Sequence, residues 1–414
     1  MARILLTSHG STGDIYPVLA VAKALQQQGH RVRFATSPFF KTVIREAGVD
    51  FLPLPPDWEK EDFHASMRKM SQTRNPLNHL RIIYQSSAPY IKELHDQLDG
   101  YLDDTDILVG SYLFPHLRSL ASNKNVPFAL MAFCHNVVPS ALIQPDPGPP
   151  PLPAWIPAPI RHGWHRFLWK AANHAITGAI KPVVNPDLKA RGLENFKDFV
   201  FAPADRVLIM TSPGLFPLPA DVSARFISTG YCRWQPPQEP ETAASLQAFT
   251  EGQKVPVITF GSMSFDNANA CLATFLEHWP TNRKIIIQAG WAEFKTEPRA
   301  QMKLMGSVAH DLLFRFASVV VHHGGAGTTA SALHAGVPQI VVPHIADQFF
   351  WGRQVEHLGV GKVVARKHWP KRLAEALLAL EKTPDFSERA KAHAQTLDRE
   401  NGPETAAAAI EELF

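Results

Sequence analysis

One segment restricts the possible folds of this 414-residue chain more than any other, the stretch from Ser318 to Gly361. A run of three valines at 319–321 leads directly into HHGGAGTT at 322–329, and an alanine-rich helix pattern follows. A second apolar strand pattern at 340–342 is followed by a proline and then by the pair Asp347–Gln348. This order predicts strand, glycine turn, helix and strand, which is the repeating unit of a parallel α/β sheet.

The glycine turn of this segment has the composition of an anion-binding cradle. Glycines let the backbone approach an anion closely, and the free N–H groups and the dipole at a helix start favour negative charge. We therefore expect Gly325 and Gly327 to hold phosphate, with His323 and Thr328 as additional hydrogen-bond donors. The carboxylate and amide of the Asp347–Gln348 pair suit sugar hydroxyls. Phosphates and hydroxyls together indicate a nucleotide sugar.

The segment resembles the donor-binding signature of the family 1 glycosyltransferases. Bacterial antibiotic, sterol and rhamnolipid members read close to H-x-G-G-x-G-T, then GVP, then DQ. This chain has HHGGAGT at 322–328, GVP at 336–338 and DQ at 347–348. Glycine turns occur in many α/β proteins, but this combination is specific for the family. The resemblance implies an inverting glycosyltransferase with the two-domain GT-B fold, and it says little about the substrate.

The rest of the chain predicts two halves that alternate strands and helices. In the first half, strands are predicted at Arg3–Thr7, Arg31–Thr36, Phe51–Leu54, Ile107–Ser111, Phe128–Phe133 and Val207–Thr211, and a helix at Pro17–Gln28. The region between about Pro139 and Lys181 does not fit this alternation. The stretch WQPPQEPE at 234–241 is typical of an extended linker, and the pattern restarts with a strand at Val255–Phe260.

We therefore predict an α/β protein with two Rossmann-like βαβ domains facing a cleft. The N-terminal acceptor-binding domain is expected at 1–232, the linker at 233–244 and the C-terminal nucleotide-sugar-binding domain at 245–399. The family resemblance implies that a last helix at 400–414 packs back on the N-terminal domain. Ligands of such sheets bind at the carboxyl ends of the strands.

Composition excludes several other classes of protein. Hydrophobic residues make up 45% and charged residues 19% of the chain, which is typical of a globular protein. A net charge of +3 without a long basic run argues against nucleic-acid binding. Three scattered cysteines argue against a disulfide framework or a zinc site. With no signal peptide and no 18-residue apolar run, we expect a cytoplasmic protein, with peripheral contact at the inner membrane surface as an additional possibility.

The N-terminal loop SHGSTGDIYP, residues 8–17, follows the first strand. From the pattern alone, Asp14 caps the helix that starts at Pro17. Relatives in the resembling family carry either G-H-x-x-P, whose histidine is the general base, or G-D-x-x-P. Gly13, Asp14 and Pro17 match the second form, so the resemblance places Asp14 at the base position, with Gly10, Ser11 and Thr12 in the surrounding loop.

The resemblance adds three residues to the donor side. It implies that Ser262 lies near the phosphates, that Trp291 lies near the base and that the backbone at His310 helps to hold the base. Relatives often read P-H-D-x-L-F at this last position, whereas alanine precedes His310 here. Trp291 and His310 are equally compatible with a packing role. We expect His322 to support the loop and not to touch the ligand.

An aromatic segment follows the proline-rich stretch and supplies the acceptor candidates. Its large apolar residues are Trp155, Ile156, Ile160, Trp164, Phe167, Leu168 and Trp169. They are compatible with burial against the N-terminal sheet, with the wall of an apolar acceptor pocket, or with contact to a membrane surface. In the third case Arg161, Arg166 and Lys170 suit anionic headgroups. We take Trp164, Phe167 and His135 as acceptor candidates, and His9 either lines the same pocket or is a buried polar residue.

A D-x-D sequence at 104–106 spells the manganese motif of the other large glycosyltransferase fold. In that fold the motif follows a strand, whereas Asp104 and Asp106 precede the strand that starts at Ile107. We interpret them as a solvated turn. We predict no metal and no cofactor, the nucleotide sugar being a substrate.

The predicted function is inverting transfer of a hexose from a UDP- or dTDP-sugar to a hydroxyl of an apolar acceptor such as a sterol, a lipid or a natural-product aglycone. Asp14 accepts the acceptor proton and His323 stabilises the departing diphosphate. Two alternatives remain, a sugar-nucleotide epimerase on the same fold and a catalytically silent nucleotide-sugar-binding helper of another transferase. An epimerase would need neither Asp14 nor the aromatic segment, and loss of Asp14 or His323 would indicate a helper.

Overall fold

The computed structural model describes residues 1–73, 75–237 and 240–414, which form two compact units. The first unit comprises Met1–Ser66, Asn75–Trp234 and Glu400–Phe414. The second comprises Gln235–Arg399 together with a short segment that begins at Met67. Residues 238 and 239 of the predicted linker lie outside the described residues.

A seven-stranded parallel sheet forms the centre of the first unit. Its strands are β1 Arg3–Thr7, β2 Arg31–Thr36, β3 Asp50–Pro53, β4 Ile107–Ser111, β5 Phe128–Ala132, β6 Arg206–Ile209 and β7 Phe226–Ser228. Their order in the sheet is β3-β2-β1-β4-β5-β6-β7, and Ile4 of β1 lies between Val32 and Ile107. The strand order reverses between β1 and β4. Such a switch point opens a crevice at the carboxyl ends of the strands, so the loop that follows β1 lies where a ligand is expected.

Seven helices connect these strands: α1 Thr12–Gln27, α2 Lys41–Glu46, α3 Lys60–Ser71, α4 Pro76–Ser87, α5 Ile91–Leu102, α6 Arg118–Asn123 and α7 Ala158–Ala190. Helix α5 shows why they dock, because Leu94, Leu98 and Leu102 repeat at helical spacing and all belong to the buried core of the unit.

Helix α7 has 33 residues and fills the region that did not fit the predicted alternation. It contains Pro182 and Pro186, each of which lacks the N–H that would bond one turn back. Ile180, Val184 and Leu188 recur every four residues and are completely buried. Burial of this stripe against the sheet stabilises a helix that local sequence rules would have ended.

The second unit is built around a six-stranded parallel sheet. Its strands are β8 Val255–Thr259, β9 Ile285–Gln288, β10 Met302–Met305, β11 Ala317–His322, β12 Gln339–Val341 and β13 Gly361–Val363, in the order β10-β9-β8-β11-β12-β13. Its helices are α8 Pro240–Thr250, α9 Ala268–His278, α10 His310–Leu313, α11 Ala326–His334, α12 Gln348–His357, α13 Trp369–Glu381 and α14 Pro384–Leu397. The switch point of this sheet lies between β8 and β11, so the loops after these two strands border its crevice.

The chain returns to the first unit through α15 Gly402–Glu411, which packs on α1 and β6. The entry to this helix is tight, since a Cβ on Gly402 would lie 2.4 Å from the carbonyl oxygen of Tyr231. Near its other end, the side chain of Glu411 lies 2.7 Å from Nε2 of His30. Close backbone contact at one end and a polar contact at the other fix the helix on the unit that contains β1.

The prediction of two parallel α/β units is confirmed, and the predicted strands of the first half agree with the structure to within two residues at either end. Helices α3 to α8 and α14 and strands β7 and β13 were not predicted. None of the helices in the described part of the chain carries an apolar run long enough to cross a lipid bilayer.

Candidate functional site

The first helix begins inside the loop that follows β1. Ser11 is its N-cap, and the Ser11 hydroxyl accepts a hydrogen bond from the N–H of Gly13 at 3.3 Å. Asp14 Oδ2 accepts from the N–H of Ser11 at 2.8 Å, which completes a capping box. The predicted helix start at Pro17 is therefore wrong. Within the helix, Pro17 only leaves the carbonyl of the exposed Gly13 without a helical partner.

The Asp14 carboxylate has one engaged oxygen and one open oxygen. Oδ2 also lies 3.2 Å from the Ser11 hydroxyl, whereas no described residue donates a hydrogen bond to Oδ1. Gly10 has a φ of +135°, and a Cβ at this position would lie 2.2 Å from Oδ2. Gly10 is thus needed both for its backbone conformation and for the space that the carboxylate occupies.

Burial raises the pKa of Asp14 to about 6, although the two Ser11 hydrogen bonds act in the opposite direction. The shift has the direction that improves a carboxylate as a base near neutral pH. Both the open Oδ1 and the raised pKa follow from the position of Asp14 between the end of a buried strand and the start of a helix. A carboxylate so placed can serve as the cap of its helix and still accept a proton.

His9 and His135, the two histidine candidates of the first unit, are neutral. His9 Nε2 lies 3.4 Å from the carbonyl oxygen of Leu54, and its ring meets the edge of Phe114. His135 follows β5, and both of its ring nitrogens lie 3.4 Å from the hydroxyl of Thr211. Burial lowers the pKa of each ring to about 4. Near pH 7 either ring can therefore act as a hydrogen-bonding group, but it carries no charge.

The aromatic segment divides between core and surface. Trp169 is buried, and its indole N–H donates to the carbonyl oxygen of Ile143 at 2.8 Å, so the interpretation as core holds for this residue. Phe167 is 57% exposed and stacks on the partly exposed Trp164 with ring centroids 5.5 Å apart. The core interpretation is wrong for Phe167, which lies on the side of α7 opposite to Trp169, whereas Trp164 is of intermediate exposure and its indole nitrogen is buried.

The D-x-D aspartates form ion pairs at the amino end of β4. Asp104 and Asp106 each lie 2.6 Å from a guanidinium nitrogen of Arg3, and Asp106 also accepts from the Arg3 backbone N–H at 2.7 Å. These hydrogen bonds lower the pKa of Asp106 to about 2. The pair thus lies at the edge of the sheet opposite to the loop that holds Asp14.

In the second unit, His322 supports the glycine turn, as expected. It ends β11 and is completely buried. Its Nδ1 accepts from the N–H of Gly324 at 3.1 Å, so the proton is on Nε2, which lies 2.8 Å from Oε1 of Gln339. Burial lowers its pKa to about 4, which keeps the ring neutral and this tautomer fixed. Gly324 has a φ of +91° and packs so closely that a Cβ would lie 2.7 Å from Val341.

The ring of His323 lies between two glycines, Gly325 and Gly261, whose missing side chains leave room for it. A Cβ on Gly325 would lie 2.5 Å from Nε2 of His323, and a Cβ on Gly261 would lie 3.2 Å from Cε1. Burial lowers the pKa of His323 well below its usual range. Its Nδ1 is buried and has no hydrogen-bond partner among the described residues. A buried ring nitrogen without a partner indicates a group whose partner is a bound ligand or water.

The first turn of α11 is open to an anion. Its N-cap is Gly325, which provides no side chain to accept from the N–H groups of the first turn. Gly327 is exposed, and the hydroxyl-bearing Thr328 is buried beside it. Thr329 contributes to the loop itself, since its hydroxyl donates to the carbonyl oxygen of Gly325 at 2.9 Å. Free N–H groups at the positive end of a helix next to an imidazole can bind phosphate oxygens.

The Asp347–Gln348 pair follows β12, but its two members differ in availability. Gln348 is buried, and its Oε1 accepts from the N–H groups of His344 at 2.8 Å and Ile345 at 3.0 Å. Its amide group lies 3.2 Å from the sulfur of Met263. The amide side chain therefore shapes the loop before α12. Asp347 is partly exposed, and its Oδ2 accepts from the indole N–H of Trp351 at 3.2 Å.

The remaining donor candidates follow the neighbouring strands of the same sheet. Ser262 follows β8 next to Gly261, and the backbone N–H of Trp291, after β9, donates to the carbonyl oxygen of Gly261 at 2.9 Å. His310 begins α10, after β10, and its ring stacks on Phe314 at 4.7 Å. Because all these strands are parallel, the candidates share the carboxyl edge of the sheet.

Two contacts at this edge were not predicted. Oε1 of Gln235 accepts from the backbone N–H of His310 at 3.0 Å, which ties the linker to the loop expected to hold the base. Phe265 packs on the ring of His344 at 4.7 Å and lies under the guanidinium of Arg366 at 5.6 Å. Neither contact has a signal in the sequence, because each joins residues more than 70 positions apart.

Comparison with known proteins agrees with this geometry. Residues 4–99 match the glycosyltransferase family 28 N-terminal domain, and residues 291–413 match the C-terminal domain of proteins like erythromycin biosynthesis protein CIII. The chain is 30% identical to the vancomycin aglycone glucosyltransferase of Amycolatopsis orientalis, over 98% of this chain and 96% of that protein. It is 29% identical to a sterol 3-beta-glucosyltransferase of Arabidopsis thaliana, over 87% of this chain and 59% of that protein.

Among solved structures, the glycosyltransferase SsfS6 of Streptomyces sp. SF2575, complexed with thymidine diphosphate, superposes with a TM-score of 0.67. The alignment covers all of both chains at 18% sequence identity, which establishes a shared fold.

Proposed function

Since this chain belongs to the family of antibiotic-aglycone and sterol glycosyltransferases, we propose that this glycosyltransferase moves a hexose from a UDP- or dTDP-sugar to a hydroxyl of an apolar acceptor, with inversion at the anomeric carbon. The proposal rests on the arrangement of groups in the loop after β11. There the neutral His323 imidazole, whose Nδ1 is buried without a partner among the described residues, and the uncapped first turn of α11 lie side by side at the switch point of the second sheet.

The donor diphosphate is assigned to this loop. Its oxygens would accept hydrogen bonds from the His323 ring, from the N–H groups at Ala326 and Gly327 and from the Thr328 hydroxyl. A neutral imidazole with a lowered pKa takes up a proton more readily once a diphosphate dianion lies beside it, because the anion favours the charged form of the ring. Negative charge that develops on the leaving group is therefore stabilised where it appears.

The sugar and the base are assigned to neighbouring loops. Asp347, which keeps partial exposure, is the carboxylate available to sugar hydroxyls, and Gln348 acts by holding the backbone of 344–345 in place. Trp291 and Ser262 follow β9 and β8, on the strands next to β11. Gln235 would assist base recognition by fixing the backbone N–H of His310.

Asp14 is assigned the role of general base. Its open Oδ1 accepts the proton of the acceptor hydroxyl while the hydroxyl oxygen attacks the anomeric carbon. The bond between that carbon and the β-phosphate oxygen breaks, and the nucleoside diphosphate leaves with the bonding electron pair. Attack from the face opposite to the leaving group inverts the anomeric configuration. With a pKa of about 6, the carboxylate is mostly ionised at pH 7 and is a stronger base than an exposed aspartate.

The proposal includes no metal ion. Hydrogen-bond donors for the diphosphate come from the start of α11 and from the His323 ring, and the D-x-D aspartates form ion pairs with Arg3. The apolar acceptor is proposed from the relatives, which include an aglycone and a sterol glucosyltransferase. His135 is the polar candidate for contact with it.

Nucleotide binding is the first test of the donor assignment. The purified protein is melted with UDP, dTDP, GDP or ADP, each with and without EDTA. A ligand that binds only the folded state stabilises it by RT ln(1 + L/Kd), where L is the free ligand concentration; this is about 2.7 kcal/mol when L is one hundred times Kd, and the melting temperature rises accordingly. We expect a shift with UDP or dTDP that EDTA does not alter. No shift with any of the four nucleotides would contradict the donor site.

Transfer is tested next with the nucleotide that binds. Sterol, lipid and aromatic aglycone acceptors are incubated with the matching nucleotide hexoses, and products are detected by mass. NMR of the product then gives the anomeric configuration, and a retained configuration would refute the direct displacement. Nucleotide binding without transfer to any acceptor would favour a silent helper.

A further inference from the structure

Helix α7 carries a second apolar face that is largely exposed. We define this outer face as Trp155, just before the helix, together with Ile160, Trp164 and Phe167. Trp155 is 79%, Ile160 59% and Phe167 57% exposed. Ring stacking of Trp164 on Phe167 joins two of the four side chains into one surface. Single exposed apolar residues are common, but four large ones within 13 positions are a patch.

Helix geometry separates this face from the core. Ile160, Trp164 and Phe167 lie at i, i+4 and i+7, which places them on one stripe. The opposite stripe is already used, since the ring nitrogen Nδ1 of His165 lies 2.9 Å from the carbonyl oxygen of Ala141 and Trp169 is buried. The inner stripe fixes the helix to its own unit. On the outer stripe Ile160 and Phe167 are exposed, and Trp164 between them is partly exposed.

The charges that α7 itself carries around the outer face have one sign, and the one carboxylate known to interact with them is that of Asp221, near Arg166. At about 100° per residue, Arg161 and Lys170 project roughly 80–100° to either side of the apolar stripe. Arg166 is exposed one position before Phe167. No aspartate or glutamate occurs between residues 147 and 186. An apolar stripe with cations on both flanks is the arrangement of helices that lie in the interface of a membrane, with aromatic side chains among the acyl chains and cations at the headgroups.

We propose that the outer face of α7 docks the enzyme on an anionic lipid bilayer. A second copy of the chain fits this face less well. In a symmetric dimer each side would present the same patch, so Arg161, Arg166 and Lys170 would meet their own copies with no acidic residue of this segment to compensate. An anionic lipid surface matches both the apolar stripe and its flanking cations, each of which gains from the negative surface potential. The inference does not depend on the proposed donor or acceptor.

The test is flotation of the full-length protein with lipid vesicles, without donor or acceptor. Vesicles of phosphatidylcholine are compared with vesicles in which about one third of the lipid is phosphatidylglycerol. We expect the protein to float with the anionic vesicles and at least fivefold less with the neutral ones. The double variant Trp155→Ser/Ile160→Ser should weaken binding more than tenfold. Arg161→Gln/Lys170→Gln should weaken it about tenfold or more, and high salt should mimic the charge variant.

Two matched control variants test whether any loss of vesicle binding is specific to the outer face or follows from removal of exposed apolar or cationic side chains in general. Phe201→Ser/Leu304→Ser removes two apolar side chains that are 37% and 38% exposed elsewhere. Lys189→Gln/Lys197→Gln removes two exposed cations outside the outer face. Both controls should bind vesicles like the wild type, and the melting temperature of every variant identifies any misfolded protein.

Three outcomes would overturn the inference. The first is equal flotation of wild type and both outer-face variants. The second is a wild-type dimer, seen by light scattering, that the Trp155→Ser/Ile160→Ser variant converts to monomer without any vesicle binding, since a second copy would then cover the face. The third is unchanged vesicle binding together with lost transfer to a water-soluble acceptor, which would assign the face to the acceptor pocket. A protein that floats with vesicles but binds no nucleotide would refute the donor assignment and leave this inference standing.

Discussion

Replacement of Asp14 by asparagine should abolish most activity and, at the same time, stabilise the protein. Asparagine keeps an oxygen that can accept from the N–H of Ser11, so the helix cap survives. It cannot accept a proton from the acceptor hydroxyl. Loss of a general base typically reduces kcat by about 10²–10⁴-fold. Nucleotide affinity should not change, because Asp14 has no assigned contact with the donor.

The gain in stability follows from the buried charge. The folded-state pKa of about 6 lies above the ordinary value of 3.8, and this difference corresponds to about 3 kcal/mol, as an upper limit. Because the folded pKa is raised, the unfolded chain releases its proton first as pH rises. The cost is absent below pH 4, grows between pH 4 and 6 and is complete above pH 6. The uncharged variant avoids this cost at pH 7.5.

The assay is a pair of thermal unfolding scans at pH 5.0 and pH 7.5, with transfer rates measured on the same samples. At pH 7.5 the Asp14→Asn variant should melt several degrees higher than the wild type, on the basis of about 2–4 °C per kcal/mol for a domain of this size. At pH 5.0 the difference should be roughly half as large. The exposed Asp57→Asn substitution is the control and should change neither melting temperature nor rate. In the wild type, kcat/KM should fall with unit slope below a pH of about 6.

Two results would refute this reasoning. A variant that keeps more than a tenth of the wild-type kcat would show that Asp14 is not the base. A variant that melts at or below the wild-type temperature at pH 7.5 would show that the carboxylate is not buried at a cost, and the account of its raised pKa would then be wrong.

Three further substitutions test other parts of the structure. Gly10→Ala places a methyl group against Asp14 Oδ2 at a backbone φ of +135°, so kcat should fall about tenfold or more while nucleotide affinity stays unchanged. The control Gly163→Ala adds a methyl group where no atom lies within 4 Å, and it should change neither quantity. His322→Ala removes the hydrogen-bond partner of the Gly324 N–H and of Oε1 of Gln339. The free energy of unfolding should fall by about 2–5 kcal/mol and the melting temperature by several degrees. An unchanged melting temperature would argue against the fixed tautomer. Asp106→Asn should leave kcat unchanged, and the activity should remain insensitive to EDTA. A large loss of activity would indicate that the D-x-D sequence does bind a metal.

The local motifs were readable because their function depends on the residues that are adjacent in sequence. A glycine turn between a strand and a helix exposes N–H groups wherever the sheet is placed, so the strand, turn and helix around 322–329 could be predicted without a tertiary structure. The pattern at Gly10–Asp14 indicated a helix cap, and only the family resemblance assigned Asp14 the role of a base. The helix start was misplaced, because the proline suggested Pro17 while the reciprocal Ser11–Asp14 hydrogen bonds begin the helix at Thr12.

The pattern of alternating apolar runs, by itself, determined the two parallel α/β units and their strands, since the period of buried side chains is a local property. Strand order, burial and long-range contacts were decided only in the tertiary structure. Folding placed the Asp14 and His323 loops at the switch points of their sheets. It raised the pKa of Asp14 and lowered that of His323. It directed the Gln348 side chain to the backbone of its own loop. It also put Trp169 in the core and Phe167, two positions away, in solvent. Desolvation and packing depend on residues far apart in the chain, and no local pattern contains that information.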